Sequence, residues 1–205
     1  MTDKAARLKE IAEEIRSFQD TPLYSYRKAH GYQAVPGEGD PQSRVMFIGE
    51  APGKKEAETG RPFVGSGGNV LTELLRSIGL SREDVFITNL LKDRPPENRD
   101  PKAEEVETYA PFLWRQIEVI QPQLIATLGR HAMHFILDAF HHPKKDQKIG
   151  EVHGQLLKGK VDYGDVYLLP LYHPAAALYN RSLEPVLEAD MQVLKVFLEQ
   201  EPSSG

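Results

Sequence analysis

The chain has 205 residues, with 25 Lys+Arg against 30 Asp+Glu for a formal net charge of −5, 40% hydrophobic residues and no cysteine. One domain around one sizeable core is expected at this length, and the lack of cysteine excludes disulfides, thiol nucleophiles, iron–sulfur clusters on thiolates and cysteine zinc sites. No apolar run is long enough to span a bilayer and Met1-Thr2-Asp3-Lys4 lacks a signal-peptide layout, so a cytoplasmic protein off the membrane is expected, acidic overall but with room for a local basic face.

Residues 4–18 place Leu8, Ile11, Ile15 and Phe18 at helical spacing among charges and predict an amphipathic opening helix, which Asp20-Thr21-Pro22 ends. The stretch from Tyr24 to Gln42 carries Gly31, Pro36, Gly37, Gly39 and Pro41 and reads as a surface loop. Helix and loop make an N-terminal part, 1–43, ahead of a core over 44–200. Four short runs rich in β-branched or aromatic residues, 45–48, 85–88, 124–128 and 166–171, predict buried parallel strands. Helical patterns at 69–78, 103–120, 130–139 and 183–199 lie between and after them. This alternation predicts an α/β fold, a three-layer α/β/α sandwich on a central four-stranded parallel sheet. Gly154, Gly159 and Asp162-Tyr163-Gly164-Asp165 interrupt the pattern and predict a small hairpin before the last core strand, while 201–205 reads as a disordered tail.

In an open α/β sheet the ligand lies beyond the carboxyl ends of the strands, so the loops after Ile48, Thr88, Leu128 and Leu171 are where chemistry is expected. The first strand is followed by Gly49-Glu50-Ala51-Pro52-Gly53, then Glu56, then Gly60-Arg61-Pro62-Phe63-Val64-Gly65-Ser66-Gly67-Gly68. These glycines let backbone amides approach a phosphate or a base, although neither nucleotide-binding glycine motif is present. Asn89 follows the second strand and Tyr172-His173-Pro174 the last. A carboxylate, an amide and an imidazole at three strand ends of one sheet converge on one crevice. His30, His131, His134, His141, His142 and His153 show no metal-ligand spacing, so no metal is expected.

Gly49-Glu50-Ala51-Pro52-Gly53, Gly60-Arg61-Pro62-Phe63-Val64-Gly65, Val85-Phe86-Ile87-Thr88-Asn89, Arg94-Pro95-Pro96-Glu97-Asn98-Arg99-Asp100-Pro101, Thr127-Leu128-Gly129-Arg130 and His173-Pro174 together resemble the uracil-DNA glycosylase superfamily, most of all its family 4. The resemblance runs over nearly the whole chain. It implies a DNA repair hydrolase that cuts the N-glycosidic bond of deoxyuridine, with uracil-containing DNA as partner, no cofactor, and a monomeric state. Family 4 holds an iron–sulfur cluster on four cysteines, and the matching positions here are Phe18, Thr21, Asp93 and Tyr109. None is a thiolate, so the cluster is expected to be absent and replaced by packing of Phe18 and Tyr109.

The resemblance also assigns roles. Uracil would be held by Glu50, Ala51, Phe63, Asn89 and His173, with Phe63 stacking on the base and the Asn89 amide matching its edge. His173 and the backbone amide near Glu50-Ala51 are the donors expected at uracil O2. Glu50 or Glu56 orients the attacking water, Glu50 being preferred. Lys54, Lys55, Arg61, Lys92, Arg94, Arg99 and Arg181 are expected at phosphates, and Leu178 as a wedge in the minor groove. Two alternatives stand beside this reading: a glycosylase for another deaminated base, and a weakly active DNA-binding module. The short 92–100 segment has no His, which argues against a covalent adduct with the sugar.

Overall fold

The computed structural model describes residues 3–200, so the tail expected at 201–205 lies outside the described residues. Six strands form one mixed sheet: β1 (Glu38–Gly39), β2 (Val45–Gly49), β3 (Phe86–Asn89), β4 (Leu124–Leu128), β5 (Leu157–Val161) and β6 (Gly164–Leu171). Their order is β1-β3-β2-β4-β6-β5. The inner four are parallel and the two edges antiparallel. Every residue of β2, β3 and β4 is buried, as expected of strands covered on both faces. The expected hairpin forms, and the last core strand is itself one of its arms, running from Gly164 rather than 166.

Nine helices lie among the described residues: α1 (Asp3–Ser17), α2 (Tyr24–Ala29), α3 (Lys54–Thr59), α4 (Ser66–Ser77), α5 (Ala103–Ile120), α6 (Arg130–Ala139), α7 (Ile149–Val152), α8 (Ala176–Tyr179) and α9 (Glu184–Glu199). Side chains on alternate strand positions divide into two cores. Met46, Ile48 and Ile125 pack with Ile11 and Ile15 of α1, Leu113 and Ile117 of α5, and Met133 and Ile136 of α6. Val45, Phe47 and Ala126 pack with Leu71 and Leu75 of α4 and Met191 and Leu194 of α9. Helices therefore cover both faces, completing the three layers. No helix among the described residues is long and apolar enough to cross a membrane.

The stretch expected as loop from Tyr24 contains α2. Its glycines and prolines begin only at Gly31, and burial of Leu23 and Arg27 gives the first part a reason to coil. Likewise α3 sits between Gly53 and Gly60, the latter left-handed at φ 70°.

The connection leaving β2 leads to α4 on one face, whereas that leaving β4 leads to α6 on the other. Because β2 and β4 are neighbours, their carboxyl ends open a crevice where chain direction switches faces, the place such sheets bind ligands.

Candidate active site

Gly49, the last residue of β2, sets the floor of the crevice. A Cβ there would stand 2.4 Å from Asn89 Oδ1 and 2.5 Å from Phe63 Cζ, so only glycine lets both side chains lie across the strand end. Phe63 is held at φ 50°, and its carbonyl accepts from Arg82 Nη1 at 2.9 Å. Glu56 Oε1 accepts the backbone N–H groups of Val64 at 2.9 Å and Gly65 at 2.7 Å. Gly68 completes the fit, since a Cβ would meet the Phe63 carbonyl oxygen at 1.8 Å. The loop carrying Phe63 is thus fixed from α3, α4 and the segment before β3.

Asn89 ends β3 with 2% of its surface exposed. Its Oδ1 is buried and has no hydrogen-bond partner among the described residues. The same holds of Thr127 Oγ1; such groups cost folding free energy while unmatched, and a ligand placed against Asn89 would supply its missing donor. A cavity of about 360 Å³ lies over it, walled by Ala51, Glu56, Phe63, His173 and Leu178 among others. A second, of about 220 Å³, adjoins it and is lined by Glu50, Pro95 and Arg99; Ala51, Gly53, Asn98 and His173 border both. Of the residues expected to hold the base, four meet in the first cavity while Glu50 faces the second.

His173 follows β6 and lies with its ring 5.7 Å from that of Phe63, at 29°. Its Nδ1 accepts the Ala175 N–H at 3.1 Å, which places the proton of a neutral ring on Nε2. Burial holds its pKa below the ordinary histidine value, only partly opposed by the Glu56 carboxylate. The site therefore presents a neutral imidazole with one N–H to donate.

Glu50 sits in a cluster the sequence reasoning missed. His131 Nε2 lies 3.8 Å from its carboxylate and 3.3 Å from Asp100, and Arg130 donates to Asp100 at 2.7 Å. Burial raises the Glu50 pKa, Asp100 raises it further, and His131 and Arg130 pull it down. The oxygens and nitrogen of Glu50, Asp100 and His131 come within 4.8 Å of one another, but Arg130 already donates to Asp100 and, from Nε, to His131 Nε2 at 3.2 Å, so the group reads as a polar network beside Glu50 anchored by the Arg130–Asp100 ion pair. The available signal was Arg130-His131 directly after β4 at the switch point.

The expected phosphate contacts divide. Lys54 and Lys55 are exposed on α3, Lys54 with its Nζ 3.8 Å from the Glu58 carboxylate, and Arg181 is exposed after α8. Arg61 is paired with Glu38, Arg99 is held bidentately by Glu105, and Arg94 donates to Tyr32 and Asn98. Lys92 is corrected outright: it is fully buried, its Nζ donating to Thr88 Oγ1, the Asn89 carbonyl and Gln116 Oε1 at 2.7–2.9 Å. It braces the strand end that carries Asn89 and touches no phosphate. Leu178 is 49% exposed at the cavity rim, and Tyr179 beside it, which the sequence reasoning passed over, is 91% exposed.

Phe18, Thr21, Asp93 and Tyr109 do come together, but by polar contact as well as packing. The Leu23 N–H donates to Thr21 Oγ1 at 3.2 Å, Thr21 bonds the Tyr109 hydroxyl at 2.7 Å, and that hydroxyl donates to Asp93 at 2.5 Å. Arg27 pairs with both Asp93 oxygens at 2.9 and 3.0 Å and donates to the Phe18 carbonyl. Phe18 meets Tyr109 edge to face at 6.3 Å. A carboxylate and two hydroxyls already bonded to each other, with a phenyl ring, cannot ligate iron as thiolates do, so an iron–sulfur cluster does not fit. The expectation of apolar bulk alone is corrected to a buried ion pair and hydrogen-bond relay.

Comparison with known proteins agrees with this geometry. The profile of the family described as Uracil DNA glycosylase superfamily matches residues 36–195. A type-4 uracil-DNA glycosylase of Saccharolobus solfataricus is 47% identical over 94% of this chain and 87% of its own. The type-4 enzyme of Archaeoglobus fulgidus is 43% identical, covering 90% of each chain, and a type-5 uracil-DNA glycosylase of Pyrobaculum aerophilum is 31% identical over 78% of this chain and 74% of its own. With its strand-end carboxylate, amide and imidazole in place and the cluster cysteines gone, this chain belongs to the uracil DNA glycosylase superfamily, in its type-4 branch.

Proposed function

We propose that the protein hydrolyses the N-glycosidic bond of deoxyuridine in DNA, releasing uracil and leaving an abasic site. The observation that carries this reading is the unpartnered, buried Asn89 Oδ1 at the floor of the cavity. Uracil offers an N3–H donor beside an O4 acceptor, and the Asn89 amide supplies acceptor and donor in matching order; cytosine presents the reverse pair. A duplex hides that edge, so the nucleotide is extruded into the cavity, with Phe63 as its apolar wall and Leu178 filling the gap left in the stack.

Cleavage leaves negative charge on uracil and positive character on the sugar. Neutral His173 donates from Nε2 to uracil O2 as that charge builds, joined by the backbone amide beside Glu50 and Ala51. Glu50 orients water toward C1′: the water oxygen forms the new bond to carbon, the C1′–N1 bond breaks with its electrons going to uracil, which leaves as the anion, and one water proton passes to the Glu50 carboxylate. Glu56 is less suited to this task, because its Oε1 already accepts two loop N–H groups. Its role is to hold the loop of Phe63. The DNA backbone is met by Lys55 and Arg181, with Lys54, Arg61, Arg94 and Arg99 sharing their charge with partners in the chain. The protein acts as a monomer.

The test is release of base from oligonucleotides carrying uracil, cytosine, thymine or hypoxanthine, read as alkali-labile breaks. The protein should cut at uracil alone. Asn89→Asp, which replaces the amide donor by a carboxylate, should slow uracil release by roughly 10- to 100-fold, the cost of one mispaired polar group, and open slow release of cytosine. Equal cutting at hypoxanthine, or an Asn89→Asp variant as fast as the parent, would overturn the assignment.

A further inference from the structure

Outside the crevice, three rings that belong to neither core pack on one another. Tyr26 and His30 lie 4.1 Å apart by ring centroids, His30 and Tyr32 5.4 Å apart and nearly parallel at 16°, and Tyr26 and Tyr32 6.1 Å apart. The arrangement is built: His30 Nδ1 is bonded to the Tyr26 carbonyl at 2.9 Å, and Gly31 at φ 65° turns the chain so that Tyr32 returns beside His30. Leu23, just before α2, and Arg27 within it are buried, whereas His30 is exposed and both tyrosines are half-buried.

Arg94 joins this cluster to the crevice. Its Cζ lies 5.4 Å from the Tyr32 ring centroid, and its Nη1 donates to the Tyr32 hydroxyl at 2.7 Å. Its Nε donates to Asn98 Oδ1 at 2.7 Å, and Asn98 borders both cavities. An unbroken run of side chains therefore leads from the base cavity through Asn98 and Arg94 to an exposed aromatic surface, with the exposed Lys28 on the same short helix.

A cluster of rings only partly covered by the protein, His30 exposed and Tyr26 and Tyr32 half-buried, beside a guanidinium is the kind of surface on which unpaired bases stack, each base supplying a π-face and each linkage a phosphate. We propose that Tyr26, His30 and Tyr32, with Arg94, form a stacking platform for unpaired nucleotides flanking the extruded uracil, so that the protein holds single-stranded DNA beyond its base cavity. This rests on the base reading for the kind of polymer bound, and the surface itself is unselective among bases.

The test separates stacking from phosphate contact. Fluorescence anisotropy would measure binding of single-stranded oligonucleotides carrying 2′-fluoro-deoxyuridine, whose substituent opposes the cationic sugar and keeps the strand intact. The flanks on either side would hold normal bases or abasic linkers of equal charge. The parent protein should bind about 5- to 100-fold more weakly when the bases on one side are removed, the range for loss of a base stack. His30→Ala and Tyr32→Ala should lose that sensitivity, while Tyr32→Phe, which keeps the ring and drops the bond to Arg94, should retain it. His30 is exposed, so its variant tests the platform even if Tyr32→Ala folds poorly. Undiminished sensitivity in His30→Ala, or none in the parent, would overturn the proposal. Sensitivity in a parent protein that releases no uracil from an unmodified strand would uphold the platform and sink the base reading instead.

Discussion

At the scale of single residues, Glu50 is the group whose environment makes the sharpest demand. In the proposed reaction it works ionised, yet burial and the neighbouring Asp100 raise its pKa while His131 and Arg130 oppose them. The rate of uracil release should therefore fall on the acid side at a pH above the ordinary carboxylate range. His131→Ala removes a group that lowers the Glu50 pKa, so the acid limb should move to higher pH; Asp100→Asn removes one that raises it, so the limb should move to lower pH. Single-turnover rates against pH measure both, and shifts of the same sign would refute this account of the cluster. Asn89 and His173 were legible in the sequence because each sits at or just past a strand end, Asn89 closing β3 and His173 lying two residues beyond β6. His131 was overlooked although it lies three residues beyond β4, because its place beside Glu50 depends on α6, the 49–53 loop and Asp100 meeting in space.

At the scale of elements, the Asp93–Arg27–Tyr109–Thr21 relay ties α2 and the end of α1 to the segment after β3 and to α5. Asp93→Ala strips a buried guanidinium of its partner and should cost about 3–5 kcal/mol of stability, whereas Tyr109→Phe, which leaves the ion pair in place, should cost about 1–3 kcal/mol. Chemical denaturation measures both, and a neutral Asp93→Ala would show that packing alone joins these elements. Lys92 gives a second check. Burial lowers its pKa to about 7 from 10.5, so between those values the folded chain gives up a proton that the unfolded chain still binds, and with it one of the three hydrogen bonds from Nζ. Stability should rise with pH across that window, on the order of 1 kcal/mol per unit, relative to a Lys92→Met variant. The sequence placed α5 and α6 at their observed bounds, since their apolar period is long and unbroken. It missed α2, α3 and the burial of Lys92, where a tertiary contact rather than local pattern decides.

At the scale of the whole molecule, the four buried strands and the covering of both sheet faces could be read from the alternation of apolar strand runs with helical patterns, and with them the end of the sheet at which the candidate site lies. The two antiparallel edge strands and the sharing of cations between DNA and internal carboxylates could not, because both depend on partners distant in the chain, such as Glu38 beside Arg61. The account's central claim is that a chain without iron cleaves the glycosidic bond by donation from a neutral His173 into a base selected by Asn89. The most direct test is the single-turnover rate of uracil release in the presence of a metal chelator, for the parent and for His173→Ala, at DNA-saturating protein. The parent should be active and His173→Ala slower by roughly 10²–10³-fold, the usual cost of one such donor, with binding to uracil-containing DNA retained. Loss of the parent's activity in chelator, or a His173→Ala variant that fails to bind DNA yet turns over its bound fraction at the parent's rate, would contradict the account.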